Sequence, residues 1–516
     1  MGMQALTNSE LSQLSAFVRD HIGLSFPPEK YDDLKRGIAV ISTEQGFSDP
    51  SACLSWILSL HLDQSLIEML AASLTVGETY FFRDPHVFEV IEHTILPAII
   101  KRRKDLGRCL RIWSAACSTG EEAYSLAILL SKIVPDINNW SITLLATDIN
   151  PNALKKAEIG IYSEWSFRST QQLWKDLYFH RLNNGTYKIK DNIRNLVTVS
   201  YLNLVEDDYP ALLTNTNAMD LILCRNVLMY FSKDAILTTT EKLQRSLVPD
   251  GRLIVSMTES MLIQNHYLVP EITNEIRTYR KVDASNRGMV DSLSIIEKVS
   301  LSKEAYQPVL IPYPDIRDIS PVQKMPDTEL KPEIVLIPDD HEPVPFNGNE
   351  QKDYQTAVSL FASGDYGGAK KILDFVISKN PADHEAVALM AQVLANLGDL
   401  QGAHVWCMRA IALDKLSPSY HHLLATILQE EGQIDAAIEE LRRALFADSS
   451  YIPAHFSLAH LKRRVGKFKE SDLHFHNASV LLSRFESGEI IGGTGGMSAG
   501  TLVRNINSFI EEKGVL

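Results

Sequence analysis

Polar side chains follow four of the predicted strands, at the positions where an open parallel sheet binds its ligands. Ser118 and Glu122 lie in a run of small residues after the first strand, where a ligand can approach the backbone closely. Asp148 ends the second strand, and a carboxylate there can accept hydrogen bonds from both hydroxyls of a ribose. Asn203 and Asn226 follow two further strands and offer amide donors and acceptors, which suit an adenine edge or an amino-acid group.

Each of these residues also has a purely structural interpretation. Ser118 and Glu121 form a plausible helix capping box. Asp148 could instead cap the helix that Pro151 opens. An asparagine after a strand is more often a turn residue. The first segment has one glycine, Gly120, rather than three, so it is not a dinucleotide-binding fingerprint.

Arg83 follows three consecutive aromatic residues, 80–82, which predicts a guanidinium group on an apolar wall. Such a position is costly unless the charge is paired. The structural interpretation pairs Arg83 with Asp84 or Asp148. The functional interpretation gives its planar fork a carboxylate of a cofactor or a substrate.

The elements that must position these residues alternate in type between about residues 86 and 285. Apolar strand-like runs there alternate with helical stretches, which predicts a parallel sheet covered by helices. The predicted strands are 110–114, 142–146, 196–200, 221–224 and 253–256. The first 75 residues instead show helical apolar spacing, as at Leu11, Leu14 and Val18, and predict a small helical cap.

A period of 34 residues appears after residue 350. Its columns are glycine (Gly364, Gly398, Gly432, Gly466), alanine seven residues earlier (Ala357, Ala391, Ala425, Ala459), a bulky apolar residue two later (Tyr366, Leu400, Ile434, Phe468) and a small residue five later (Ala369, Ala403, Ala437, Ser471). Glycine suits the turn of a helix-turn-helix unit, small residues allow close helices, and the bulky column is expected to fill the seam. The pattern resembles the tetratricopeptide repeat, an all-α solenoid that binds peptides or protein surfaces. A capping helix is expected at 501–512.

Length and composition narrow the class of protein. A chain of 516 residues predicts two or three domains, and a net charge of -14 argues against a nucleic-acid-binding protein. Five scattered cysteines without a C-x-x-C pair indicate neither disulfides nor a zinc site. Residues 301–350 hold nine of the 22 prolines and are typical of a linker. No signal peptide or membrane-length apolar run is found, so a cytoplasmic protein is expected, without direct membrane insertion.

Four motifs together resemble the chemotaxis receptor methyltransferases, the CheR family. They are Thr-Tyr-Phe-Phe-Arg at 79–83, Ser-Thr-Gly-Glu-Glu at 118–122, Thr-Asp-Ile at 147–149 and Cys-Arg-Asn-Val-Leu-Met-Tyr-Phe at 224–231. The resemblance runs from about residue 8 to 283. It implies an α/β Rossmann-like S-adenosylmethionine-dependent methyltransferase with an N-terminal helical cap. It also implies a small strand subdomain between residues 159 and 195, and methylation of glutamate side chains on the cytoplasmic domain of chemoreceptors.

The resemblance also implies the site residues. Those lining the cofactor site would be Gly77, Thr79, Arg83, Glu122, Asp148, Asn203, Leu204, Arg225 and Asn226. Arg83 and Tyr230 would be catalytic, with Tyr230 facing the reacting centre. The product would be S-adenosylhomocysteine, and no metal is expected. Gly77 departs from the asparagine of some members, and residues 30–37 mix charges where the family is typically basic.

The expected division of the chain is 1–82 for the cap, 83–285 for the methyltransferase domain, 286–349 for the linker, 350–485 for four repeats and 486–516 for a glycine-rich tail. Glutamate is already ionised at pH 7, so no general base is expected, and Tyr80, Phe81 and Tyr230 are expected to form a low-polarity pocket. The repeats are expected to bind a further protein. The alternatives are a catalytically weak methyltransferase-like scaffold and a methyltransferase acting on a small molecule or an unrelated protein.

Overall fold

The computed structural model describes residues 6–60, 64–75, 77–104, 107–134, 136–170, 172–211, 214–282, 348–494 and 497–510. The predicted linker at 286–349 lies outside these residues except for its last two positions.

Four helices form the N-terminal cap: α1 (Asn8–Ile22), α2 (Tyr31–Glu44), α3 (Pro50–Ser59) and α4 (Gln64–Leu74). Thr7 begins α1 with a reciprocal capping box to Glu10, which satisfies two otherwise free backbone amides. Apolar residues at helical spacing then bury one face of α1, as the sequence predicts. The cap therefore has its own core, built from one stripe of each helix.

A seven-stranded sheet in the order β6-β2-β1-β7-β8-β10-β9 forms the centre of the next domain. Its strands are β1 (Cys109–Ala115), β2 (Ser141–Asp148), β6 (Val197–Tyr201), β7 (Met219–Cys224), β8 (Leu247–Ile254), β9 (Leu268–Thr273) and β10 (Ile276–Lys281). Neighbouring pairs among β6, β2, β1, β7 and β8 are parallel, whereas β10 pairs antiparallel with β8 and β9. All five predicted strands are present. The antiparallel β9-β10 hairpin was not predicted, because its outer residues alternate in burial and lack a continuous apolar run.

Helices surround this sheet: α5 (Pro85–Val90), α6 (Leu96–Lys104), α7 (Glu121–Ile133), α8 (Pro151–Ile159), α9 (Gln172–Tyr178), α10 (Asp191–Arg194) and α11 (Lys233–Ser246). A π-helical turn (Ile91–Ile95) joins α5 to α6, and short 3-10 turns lie at Pro28–Lys30, Ile137–Asn139, Glu164–Phe167 and Leu228–Tyr230. Every residue of β1 is buried, as expected for a central strand covered on both faces.

A separate three-stranded sheet, in the order β3-β5-β4, lies in the region where the resemblance implies a strand subdomain. Its strands are β3 (Ile161–Tyr162), β4 (Phe179–Arg181) and β5 (Tyr187–Ile189). Its core is aromatic: Phe81 stacks on Phe167 at 4.9 Å between ring centres and meets Phe179 edge-on at 5.0 Å. Phe81 thus anchors the small sheet to the main domain.

Eight helices form four helix-turn-helix units: α12 (Gly348–Ala362), α13 (Tyr366–Lys379), α14 (His384–Leu397), α15 (Leu400–Leu413), α16 (Pro418–Glu430), α17 (Ile434–Ala447), α18 (Ile452–Arg464) and α19 (Phe468–Leu482). The four periodic glycines all have left-handed φ angles, between 76° and 80°, and the alanine and small-residue columns are buried. A last helix, α20 (Ala499–Ile510), buries Leu502 and Ile506 in the core of the fourth unit, as expected for a cap.

The bulky column does not fill the seam as predicted. Tyr366 is buried, but Phe468 is 55% exposed. Each of these residues begins the second helix of its unit, so its burial depends on what lies beyond the turn. Tyr366 is covered because the methyltransferase domain reaches it, with the Lys281 amine 5.6 Å from the ring centre.

The repeats pack against the amino ends of the sheet strands. Glu430, at the end of α16, pairs with Arg111 of β1, and both side chains are at most 5% exposed. The Glu430 carbonyl accepts a hydrogen bond from Ser141, the first residue of β2. In the first unit, Arg245 donates to the Ala362 carbonyl at 3.3 Å. The repeats therefore cover the edge of the sheet opposite to its carboxyl ends.

Candidate functional site

A cavity of about 360 Å³ lies at the carboxyl ends of β1, β2, β6 and β7, between the sheet and the helical cap. This volume falls within the ordinary range for a small-molecule site. The structure brings all ten predicted site residues together on its wall: Gly77, Thr79, Arg83, Glu122, Asp148, Asn203, Leu204, Arg225, Asn226 and Tyr230. Their individual roles stay predictions.

The backbone around the cavity is strained. Ala116, Ser118 and Asn226, all on its wall, have φ angles of 61°, 51° and 60°, which residues other than glycine rarely adopt. Left-handed residues of this kind persist only where the surroundings hold them, and they cluster at ligand sites.

Asp148 is 9% exposed, and its two oxygens accept from two loops. The Ser118 amide donates to Oδ2 at 2.8 Å and the Asn150 amide to Oδ1 at 2.9 Å. Burial raises the pKa of Asp148, and these backbone hydrogen bonds oppose that rise. The amide of Ile149 also contributes to this opposing effect, and a carboxylate has roughly four lone-pair sites, so acceptor capacity remains for a ligand.

Two structural alternatives for these loops are wrong. The side chain that caps α8 is Asn150, whose Oδ1 accepts from the amides of residues 152 and 153, so Asp148 does not cap that helix. Nor do Ser118 and Glu121 form a capping box: α7 begins after Gly120, which has a φ of 91° and no side-chain cap. The Ser118 hydroxyl instead points to the Gly77 carbonyl at 3.4 Å, across the cavity wall.

Glu122 and Arg225 form a buried ion pair behind the cavity. Arg225 Nη1 lies 3.1 Å from Glu122, its other nitrogen pairs with Asp84 and the Arg83 carbonyl, and its side chain is 1% exposed. The Ser114 hydroxyl donates to the other Glu122 oxygen at 2.8 Å. Arg225 is thus largely engaged within the protein, and Glu122 retains lone pairs towards the cavity.

Arg83 differs from Arg225 because it pairs with no carboxylate among the residues that the structure describes. The structural interpretation, in which Arg83 pairs with Asp84 or Asp148, is wrong. Asp84 pairs with Arg225, and Asp148 accepts from backbone amides. Within the described parts of the chain, Arg83 donates to the Glu78 carbonyl alone, at 3.1 Å. Most of its five donors therefore remain for a ligand.

The two asparagines differ in how they are used. The Asn203 oxygen accepts from the amide of residue 205 at 3.0 Å, and its nitrogen donates to the His21 carbonyl at 2.9 Å. Its side chain therefore serves a turn, the structural alternative, and also ties the cap to the sheet. The Asn226 side chain has no such turn bond in the described structure and lies on the cavity wall.

Tyr230 lies where the cap meets the sheet. Its carbonyl accepts from the Ser25 amide at 2.7 Å, and the Lys30 amine lies 5.8 Å from its ring centre. Gly77 and Thr79 belong to the segment that leads from the cap into the methyltransferase domain. A Cβ atom added at Gly77 would lie 3.7 Å from the Ser118 hydroxyl oxygen, an ordinary van der Waals contact.

The predicted low-polarity pocket of Tyr80, Phe81 and Tyr230 is only partly correct. Tyr230 lines the cavity, but Phe81 is fully buried in the core of the small sheet and Tyr80 stacks against Arg168. The apolar wall comes instead from the cap and the strand ends: Ile22, Leu24, Phe26, Leu74, Ile149, Leu202, Leu204 and Phe231. The sequence of three aromatic residues before an arginine does not reveal whether their side chains line the cavity or fill the core of the small sheet.

Sequence reasoning missed Glu259. This carboxylate is fully buried and accepts from the backbone amides of Asn226 at 2.8 Å, Val227 at 2.7 Å and Ser256 at 3.0 Å. It joins the loops after β7 and β8 and so holds Asn226 in its left-handed conformation. The available signal was an acidic residue shortly after the apolar run of a predicted strand.

No cysteine of the site is suited to act as a nucleophile. Cys117 and Cys224 are buried, and burial raises the pKa of both thiols well above the ordinary value.

Among the described residues, no group of three or more His, Cys, Asp or Glu could hold a metal ion. None of the described helices combines the length and the apolar character needed to cross a membrane.

Comparisons with known proteins identify relatives of two parts of the chain. The family model described as CheR methyltransferase, SAM binding domain, matches residues 77–276, and a tetratricopeptide-repeat model matches 360–427. The chemotaxis protein methyltransferase of Borreliella burgdorferi is 27% identical over 50% of this chain and 89% of its own. Chemotaxis protein methyltransferase 1 of Pseudomonas aeruginosa is 33% identical over 39% of this chain and 73% of its own. The probable biofilm formation methyltransferase WspC of the same organism is 30% identical over 43% of this chain and 51% of its own length.

Proposed function

Because this chain belongs to the chemotaxis protein methyltransferase family, we propose that it transfers a methyl group from S-adenosylmethionine to glutamate side chains of a chemoreceptor. The observation that carries the proposal is the shared cavity of Asp148 and Arg83. One offers a carboxylate to a ribose and the other a free guanidinium group to a carboxylate.

The cavity residues fit S-adenosylmethionine, which supplies an activated methyl group when bound. Asp148 would accept from the ribose hydroxyls, because its backbone hydrogen bonds do not use all of its lone-pair sites. Glu122 would accept from the ammonium group. Arg83 would hold a carboxylate of either the cofactor or the methyl acceptor.

A glutamate acceptor needs little chemical help from the protein. Its reference pKa is near 4.3, so it is ionised at pH 7 and no residue has to remove a proton. The task of the site is alignment and exclusion of water, to which the apolar wall from the cap contributes. Tyr230, on that wall, would border the acceptor carboxylate as its charge is lost.

The test is methyl transfer from radiolabelled S-adenosylmethionine to a purified receptor cytoplasmic fragment, followed by treatment with base. Carboxyl methyl esters release methanol in alkali, so base-labile label is expected. Base-stable label would overturn the glutamate assignment. Binding of the cofactor without any label would exclude receptor methylation, and failure to bind it would favour the scaffold alternative.

The repeats are proposed to bind a further protein and thereby localise the enzyme to its receptor array in the cytoplasm. Their position supports a targeting role, because they cover the amino edge of the sheet and leave the cavity open.

The expected division of the chain at 1–82, 83–285, 286–349, 350–485 and 486–516 stays a prediction.

A further inference from the structure

Guanidinium and aromatic groups alternate along a path that leads from the cavity to solvent. Arg83 lies 5.8 Å from the ring centre of Tyr80, and Arg168 lies 3.8 Å from the same ring. Arg168 also lies 4.6 Å from the ring centre of Trp165, which is 64% exposed. We refer to these four residues together with Glu78 as the rim.

Hydrogen bonds fix the rim in place. The Glu78 carboxylate pairs with Arg168 and accepts from the Trp165 indole at 3.4 Å, while the Glu78 carbonyl accepts from Arg83 at 3.1 Å. Arg168 also donates to the Trp165 carbonyl at 2.8 Å. Little side-chain freedom is therefore left to lose when a partner binds, which favours affinity.

The chemistry of the rim suits an acidic protein segment. Tryptophan, tyrosine and arginine are the residue types that contribute most to binding at protein interfaces. Within the rim, two guanidinium groups face one carboxylate, which leaves one positive charge. Arg168 uses one nitrogen for the Trp165 carbonyl and another for Glu78, so some of its five donors remain for a carboxylate of a partner beside Glu78.

We propose that the rim binds the acidic segment of the protein substrate that carries the methyl-accepting glutamate. Trp165 packs on an apolar side chain of that segment, and Arg168 pairs with a carboxylate next to the acceptor. The rim is continuous with the cavity, because Glu78 and Arg83 line both. This inference rests on the proposed function and adds the surface that selects the substrate.

The test compares Trp165→Ala with Leu173→Ala, a control on the same subdomain at a residue that is 52% exposed. KM and kcat are measured for methyl transfer to a receptor cytoplasmic fragment, and calorimetry gives the Kd for S-adenosylhomocysteine. Trp165→Ala is expected to raise KM roughly tenfold, as for an interface hot spot. The Kd should stay within about twofold, since Trp165 is not on the cavity wall. The control should change neither quantity.

Arg168→Gln tests the charge separately. It is expected to raise KM and to weaken the dependence of KM on salt, because one exposed cation is lost. An unchanged KM in both variants would overturn the rim, as would a rise in KM matched by an equal rise in the Kd for S-adenosylhomocysteine. Absence of methyl transfer by the parent protein would overturn the proposed function itself, and is seen before any variant is made.

Discussion

The two edges of the central sheet both bury carboxylates but satisfy them differently. At the carboxyl edge, Asp148 and Glu259 accept hydrogen bonds from backbone amides. At the amino edge, Asp220 accepts from Arg102 and Arg103, each at 2.8 Å, and Glu430 pairs with Arg111. Backbone amides carry no net charge, so they leave the charge of Asp148 for a ligand, although Glu122 at the same edge pairs with Arg225. At the second edge both carboxylates pair with arginines within the protein.

The space at the two edges differs in the same way. The carboxyl edge borders the cavity of about 360 Å³, whereas a void at the amino edge, lined by Arg103, Arg111 and Glu430, is about 10 Å³. The smaller volume scarcely holds one water molecule. The same sheet thus borders a candidate binding site at one edge and a packed domain interface at the other, and substitutions at the two edges should have different consequences.

The largest effect on stability is expected at the amino edge, from Asp220→Ala. Asp220 is fully buried, and its loss would leave Arg103, only 6% exposed, without its carboxylate. Breaking a buried pair from one side costs about 3–5 kcal/mol, measured here as the free energy of urea unfolding. Asp191→Ala, which removes an exposed pair with Arg194, should cost under about 1 kcal/mol. Equal losses in the two variants would contradict the comparison. Should Asp220→Ala fail to fold, Asp220→Asn serves as the milder change.

The next effect is expected at the carboxyl edge, from Asp148→Ala. Loss of two charge-assisted hydrogen bonds to a ribose should weaken S-adenosylhomocysteine binding on the order of 100-fold, measured by calorimetry. Asp148→Asn keeps one oxygen acceptor, so its affinity for S-adenosylhomocysteine should lie between those of Asp148→Ala and the parent protein. Binding as tight as that of the parent would place the ribose elsewhere.

Glu259→Gln tests whether the positioning of Asn226 matters for turnover. One oxygen becomes an amide donor that faces a backbone N–H, so the loop after β7 is expected to shift. A displacement near 1 Å lowers kcat on the order of 10- to 100-fold. The Kd for S-adenosylhomocysteine should rise less than kcat falls, because Asp148 and Arg83 keep their places on the cavity wall, and this difference separates positioning from general unfolding. Glu241→Gln, on the exposed side of α11, is the matched control and should leave kcat unchanged.

The parallel part of this fold could be predicted from sequence because periodic apolar runs report burial. The strands of the main sheet and the 34-residue glycine period are both of this kind, and the left-handed φ at Gly364 and its three counterparts follows from the residue type. The polar residues that follow each strand also indicated the cavity, because parallel strands bring their carboxyl ends to one edge.

Contacts between distant segments could not be predicted in the same way. The pairing of Asp84 with Arg225 rather than Arg83 depends on a loop geometry that neighbouring residue types do not reveal. The burial of Phe81 away from the cavity depends on the small sheet. The contact between Glu430 and Arg111 joins segments separated by the linker, where no periodicity carries information.

Glu430→Ala is expected to loosen the interface while sparing the chemistry. Arg111 would keep its hydrogen bond to the Asn217 carbonyl at 2.9 Å and the nearby charge of Asp220, so the loss should be smaller than in Asp220→Ala and the sheet should stay folded. The radius of gyration from small-angle scattering should rise, and turnover on a soluble receptor fragment should stay within about twofold, because the cavity lies at the other edge. The control is Glu439→Ala, at an exposed pair within α17. A large fall in turnover without a change in shape would mean that the two edges are coupled.

The smallest effect is expected from pH, again at Asp148. Burial raises its pKa in the free protein, and a ribose hydroxyl donates a stronger, charge-assisted hydrogen bond to the ionised carboxylate than to the protonated acid. Affinity for S-adenosylhomocysteine should therefore fall as the pH falls, starting above the range of an ordinary aspartate and by at most about tenfold per pH unit. The same raised pKa makes the contribution of Asp148 to the free energy of unfolding decrease as the pH rises, since the folded state then holds its proton more tightly than the unfolded state.

Calorimetry of the parent and Asp148→Asn between about pH 4.5 and 8 separates these effects, because only the parent should lose affinity through titration at this position. Equal pH profiles for the two proteins would show that the affinity does not depend on the charge of Asp148, and would remove the electrostatic distinction between the two edges of the sheet.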